Sequence, residues 1–221
     1  MMTRLLSTKI LSKGFKEKLL MNSIRLVEQP FIKIKSIKKL EFPKAYQSII
    51  FSSQNSVKIA LANPKIKLLF DKKPIYCIGK KTALLLIKNG QKVVKIAENS
   101  AELAHFILKN CKNESFSFLC GKSRIPDLEE ILSLNNILIQ PIEIYETSPH
   151  PHIVKEQYDG LIFFSPSGVK SYAINNGFQD THSFCLGQTT AKEVKKFTSK
   201  FTIANAPNEN QLLISIKKHF N

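Results

Sequence analysis

The chain says almost the same thing twice. YQSIIFSSQNSV, Tyr46 to Val57, returns 112 residues later as YDGLIFFSPSGV, Tyr158 to Val169, with Tyr, Ile, Phe, Ser and Val in register. Cys77, Gly79, Thr82 and Ala83 recur as Cys185, Gly187, Thr190 and Ala191, and Asn99, Leu103 and Ile107 as Asn208, Leu212 and Ile216. Gln29 and Pro30 are answered by Gln140 and Pro141. The whole chain is therefore close to a tandem duplication of a unit of about 110 residues, the size of one small domain.

Each copy alternates short apolar strands with helices. In the second copy the strands are expected at about Phe116–Cys120, Ile137–Tyr145, Gly160–Phe164, Ser183–Leu186 and Lys200–Ala204. Apolar residues at helical spacing, such as Leu84 and Ile87, then Leu103, Phe106 and Ile107, mark the helices between strands. Short strands that read apolar throughout need cover on both faces, which means a parallel sheet in an α/β sandwich. Five strands per copy suggests a flavodoxin-like layout, two such domains, and a bilobed molecule with a cleft. Periodicity leaves open whether each half folds by itself or each domain takes strands from both halves. The opening residues read as a strand, Arg4–Thr8, and a helix from about Phe15 to Asn22, in preference to a transit peptide.

Parallel sheets bind ligands beyond the carboxyl ends of their strands. Four turns lie at such ends: Ser52–Ser56, Gly79–Thr82, Ser165–Gly168 and Gly187–Thr190. Ser, Thr or Asn in them can cap a helix, and the free N–H groups with the helix dipole favour an anion. The balance of 33 basic against 17 acidic residues, formally +16, suits an anionic ligand. Only Arg4, Arg25 and Arg124 are arginines, and no arginine–aromatic patch, zinc pattern or helix-turn-helix signal points to nucleic acid. No apolar run is long enough to span a membrane.

Other chemistry is sparse. Neither a GxGxxG nor a Walker pattern occurs, so a nucleotide is disfavoured. His150-Pro151-His152 reads as a linker turn, with no partner spacing for a metal. The four cysteines lack CxxC spacing and read as free thiols of a reducing, cytoplasmic compartment. Cys77 and Cys185 precede glycines at matching positions and read as buried thiols, not nucleophiles. Tyr145 is expected at the end of its strand, where its hydroxyl can face a cleft as donor or weak acid.

Taken in order, SIIFSSQNSV, CIGKKTALLL, IEIYET, LIFFSPSGV and CLGQTTA resemble the uroporphyrinogen-III synthase family along essentially the whole chain. The resemblance implies two flavodoxin-like α/β domains joined by a two-stranded linker. One comprises residues 1–33 and 149–221, the other 38–144, with linkers at about 34–37 and 145–148. It implies cyclisation of the linear tetrapyrrole hydroxymethylbilane to uroporphyrinogen III in the cleft between the domains, with loss of water, inversion of the last ring, and no metal or organic cofactor. A monomer in the cytoplasm, in transient contact with the preceding enzyme of the pathway, is also implied.

Residue by residue, Tyr145 matches the tyrosine that assists the leaving hydroxyl. Thr82 and Thr190 match the threonines of the G-x-x-T-A turns, and Ser52, Ser53, Ser165, Ser167 and Gly168 match the strand-ending turns that hold carboxylates. Lys9 stands where the family often has arginine, and Arg124 is the arginine expected to meet a substrate carboxylate through its fork. Ser52 in place of a usual Thr, Gln188 in place of a frequent Pro, and a short region after Tyr172 are departures. The main rival is a non-catalytic bilobed protein that binds anionic ligands or regulates; a basic nucleic-acid-associated protein is third.

Overall fold

The computed structural model describes residues 2–38, 46–178 and 180–220. The chain falls into two compact units, Met1–Lys33 with Ser148–Asn221, and Ile34–Thr147. Residues 39–45, near the expected start of the second domain, lie outside the described residues.

The first unit opens with β1 (Thr3–Ser7), α1 (Lys13–Leu20) and β2 (Ile24–Glu28). It resumes with β9 (Gly160–Phe163), α7 (Pro166–Ala173), β10 (His182–Cys185), α8 (Gln188–Val194), β11 (Phe201–Ile203) and α9 (Glu209–Phe220). Its five strands lie in the order β2-β1-β9-β10-β11, each pair parallel. Numbered along the chain within the unit, this is the 2-1-3-4-5 order of a flavodoxin-like sheet.

Between these pieces run β3 (Ile32–Ser36), β4 (Ser48–Phe51), α2 (Gln54–Ala62), α3 (Pro64–Phe70), β5 (Ile75–Ile78), α4 (Lys80–Lys88) and β6 (Val93–Ala97). They are followed by α5 (Ser100–Asn110), β7 (Ser115–Gly121), α6 (Asp127–Leu134) and β8 (Leu138–Pro149). Here the sheet order is β3-β8-β7-β4-β5-β6. The five strands from β8 to β6 are parallel neighbours. By the repeat, β7 and β8 answer β1 and β2, while β4, β5 and β6 answer β9, β10 and β11. The two parallel sheets therefore have the same order of equivalent strands, but the second unit reaches it as a circular permutation. The chain passes between units within β3 and within β8.

Burial alternates along the strands and covers both faces. Ile49, Cys77 and Leu119 enter one cluster of the second unit, and Ile50, Tyr76, Phe118 and Cys120 the other. Leu5, Ile162 and Phe184 face one side of the first unit's sheet, and Leu6, Phe163 and Cys185 the opposite side. Each fully buried Leu, Ile or Phe is worth about 1.5–3 kcal/mol over an exposed one, so this pattern holds each sandwich together.

Leu84 and Ile87 fall within α4, as their spacing suggests, but on its outer side: they are 66% and 53% exposed, while Thr82, Ala83 and Leu86 are buried. Small residues at 82 and 83 let the first turn of α4 lie close to the sheet, which turns the larger side chains outward. The strand expected to stop at Tyr145 continues to Pro149, because β3 pairs along it, with the Ile37 N–H donating to the Ile144 carbonyl at 3.0 Å. Among the described residues no helix is long and apolar enough to cross a membrane.

Candidate functional site

In the second unit β4 ends at Phe51, and the chain turns through Ser52 into α2. Ser53 caps that helix with an extended backbone, its Oγ accepting from the Ser56 N–H at 3.1 Å. The Ser56 hydroxyl donates to the Ser53 carbonyl at 2.8 Å, and the buried Val57 anchors the turn in the core. Tyr145 comes to this cap from β8: its hydroxyl oxygen is 3.1 Å from Ser53 Oγ.

A shift in strand register brings it there. Cys120 of β7 faces Glu143, yet the next residue, Gly121, faces Tyr145, so Ile144 is passed over. Such a bulge redirects a side chain locally. The Lys122 N–H then donates to the Tyr145 carbonyl at 2.9 Å. The tyrosine ring lies over Gly121, where an added Cβ would stand 2.6 Å from Cζ and 2.9 Å from the hydroxyl oxygen.

Proton accounting limits what this pair can do. The Ser56 hydroxyl proton is already given to the Ser53 carbonyl, and Ser53 Oγ already accepts an N–H. Ser53 thus has one proton to give, to Ser56 Oγ at 3.1 Å or to Tyr145 at 3.1 Å. In the first arrangement the phenol donates to Ser53; in the second it receives from Ser53 and keeps its own proton for a ligand. The same heavy-atom positions serve both arrangements.

Gly79 ends the turn after β5 at φ +88°, a backbone that favours glycine, and its N–H donates to the Ala97 carbonyl at 2.8 Å. Among the described residues no side-chain cap bonds the start of α4 or of its repeat partner α8. Thr82 and Thr190 are both buried, and the Thr82 N–H donates to the Gly79 carbonyl at 3.0 Å.

In the first unit Ser165 caps α7, accepting from the Gly168 N–H at 3.2 Å, with Ser167 Oγ 3.0 Å away. Gly168 packs beside Thr8, a residue that sequence reasoning passed over; its hydroxyl donates to the Ile162 carbonyl at 2.8 Å and ties the end of β1 to β9. Lys9 follows, its ammonium 5.7 Å from the centre of the Phe164 ring. Ser53 and Tyr145 thus gather in one unit, and Ser165, Ser167, Gly168 and Lys9 in the other.

Arg124 Nε pairs with Glu129 and a terminal nitrogen donates to Glu143 at 2.8 Å, so two of its nitrogens are engaged within its own unit. Burial works against its charge, but the hydrogen bonds to Glu129 and Glu143 outweigh that and hold its pKa above the ordinary value.

All four cysteines are free and buried; burial raises Cys77 to about 11 and Cys185 to about 12, so neither is a thiolate at neutral pH. His150 and His152 stack ring edge to face at 4.3 Å, and His152 Nε2 lies 3.2 Å from the Pro30 carbonyl oxygen. Among the described residues no three His, Cys, Asp or Glu side chains gather as a metal-ligand set.

Residues 13–214 match the family model described as uroporphyrinogen-III synthase HemD. Two solved structures share the fold over nearly the whole length. A uroporphyrinogen-III synthetase from Helicobacter pylori is 18% identical with a TM-score of 0.74, and both chains are fully covered. A mutant uroporphyrinogen III synthase from the extremely thermophilic bacterium Thermus thermophilus is 13% identical with a TM-score of 0.62, covering 99% of this chain and 98% of that one.

Proposed function

The chain belongs to the uroporphyrinogen-III synthase family, a family of porphyrin and haem biosynthesis, and on that premise we propose that it cyclises hydroxymethylbilane to uroporphyrinogen III. The observation that carries this reading is the Tyr145–Ser53 hydroxyl pair at the carboxyl edge of a parallel sheet.

Tyr145 gives its proton to the departing hydroxyl of the substrate, which leaves as water, while the Ser53 O–H turns to the phenolate oxygen. Ionisation leaves an electrophilic azafulvenium cation. Closure through the substituted carbon of the last ring gives a spiro intermediate, which rearranges with inversion of that ring and releases a proton that restores the phenol. Such an electrophile needs a held geometry and exclusion of competing water more than a strong base. The substrate's carboxylates are received at the Ser52–Ser53, Gly79–Thr82, Ser165–Gly168 and Gly187–Thr190 turns, through backbone N–H groups and, in the two serine turns, through hydroxyls, with Lys9 adding a cation. Arg124 serves this assembly by bracing the loop after β7 through Glu129 and Glu143.

In this reading the enzyme is a cyclising hydro-lyase that works as a cytoplasmic monomer without metal or organic cofactor. It draws on the preceding pathway enzyme through transient contact, and its two units, with linkers near 34–37 and 145–148, are its two domains. The test is to supply freshly made hydroxymethylbilane and to resolve the oxidised products by chromatography. The type III isomer is expected to dominate, with Tyr145→Phe slower by on the order of 10²-fold. The spontaneous type I isomer alone would leave a non-catalytic binder of anionic ligands.

A further inference from the structure

The backbone of Gly121 does not require glycine. Its φ lies outside the left-handed range that Gly79 and Gly90 adopt. The space where its side chain would be is occupied: a Cβ would stand 2.6 Å from Tyr145 Cζ, 2.7 Å from Cε2 and 2.9 Å from the hydroxyl oxygen. All three are atoms of the phenol's far end, the end that meets Ser53. What the position demands is therefore set by the tyrosine.

We propose that Gly121 is the positioning residue for Tyr145: by having no side chain it provides the seat on which the ring lies, and it thereby sets the distance from the hydroxyl to Ser53. The bulge between Cys120 and Gly121 supplies the other half of the device. With regular pairing after Cys120 and Glu143, Gly121 would face Ile144; passing over that residue sets Tyr145 opposite the only residue of the CGKSR stretch that leaves room for a ring. The Lys122 N–H on the Tyr145 carbonyl holds the register. Seat, register and Ser53 together leave the ring one position.

The atoms in conflict with a Cβ at 121 belong to the free end of a side chain that turns about two torsions. A methyl group there is relieved by swinging the ring aside, which leaves the sheet intact and moves the hydroxyl off Ser53. The seat does not depend on the reaction catalysed; its catalytic consequence rests on the synthase reading.

The experiment compares wild type, Gly121→Ala, Tyr145→Ala and the double variant. Each is assayed for kcat and KM on hydroxymethylbilane, for thermal melting, and for ring resonances with 13C-labelled tyrosine, of which the chain has five. Gly121→Ala is expected to keep its melting temperature and KM near wild type, to lose on the order of 10²-fold in kcat as for a displaced catalytic group, and to shift the Tyr145 resonance. In the Tyr145→Ala background the added methyl should cost nothing further. Should Gly121→Ala fail to fold, recovery of folding in the double variant supports the claim, and failure of both overturns it. An unmoved Tyr145 resonance, or an equal loss of kcat in both backgrounds, also overturns it. If wild type makes no type III isomer, the synthase reading falls, and the resonance and the folding of the double variant still decide the seat.

Discussion

Arg124 shows how a residue's partners decide its role. As a lone arginine in GKSR it invites pairing with an incoming carboxylate, but Glu129 and Glu143 reach it first. Glu129 is 9% exposed, and its second carboxylate oxygen has no hydrogen-bond partner among the described residues. Removing the guanidinium would strand that carboxylate, and breaking a buried pair in this way costs about 3 kcal/mol. Arg124→Ala is accordingly expected to lower stability by that order in urea denaturation while KM for hydroxymethylbilane stays near wild type. A raised KM with unchanged stability would return Arg124 to direct substrate contact. Nothing in the local sequence announces the Glu143 half of this pairing, because Glu143 lies 19 residues away on β8. Ser53 and Tyr145, by contrast, were legible as separate motifs, and only their meeting across 92 residues was not.

Among the elements, the paired glycine turns look alike in sequence and differ in structure. Gly79 has φ +88°, whereas Gly187 has φ −165°, extended backbone that any residue adopts. Both precede an uncapped helix, so the loss of a glycine N-cap is common to both positions. The difference is backbone strain, and Gly79→Ala should destabilise by about 1–3 kcal/mol more than Gly187→Ala. Chemical denaturation of the two variants side by side checks this; equal losses would mean that the Gly79 turn relaxes. The inner face of α4 has a related cause. Helical spacing identifies a stripe, but the close approach allowed by Thr82 and Ala83 decided which stripe faces the sheet.

At the scale of the whole molecule, the charge of +16 is almost all lysine, and its field acts over a distance set by salt. The screening length falls from about 30 Å at 0.01 M to about 8 Å at 0.15 M salt. KM for the polycarboxylate substrate should therefore rise steadily along a potassium chloride series while kcat changes little. A flat KM would confine recognition to short-range contacts within the turns.

The amino-acid sequence alone was enough for the duplication, the parallel α/β architecture and the strand-ending turns. Each of these follows from local rules: which residues alternate, which cap, and which repeat at a constant offset. The register shift that passes over Ile144 depends on how two strands settle against each other, and no local preference encodes it. The seat of the Tyr145 ring on Gly121 and the occupation of Arg124 by two glutamates likewise join residues far apart in the chain. Those joins are made by packing two covered sheet faces at once, and so only the tertiary structure decided which hydroxyl, which cation and which glycine meet their partners.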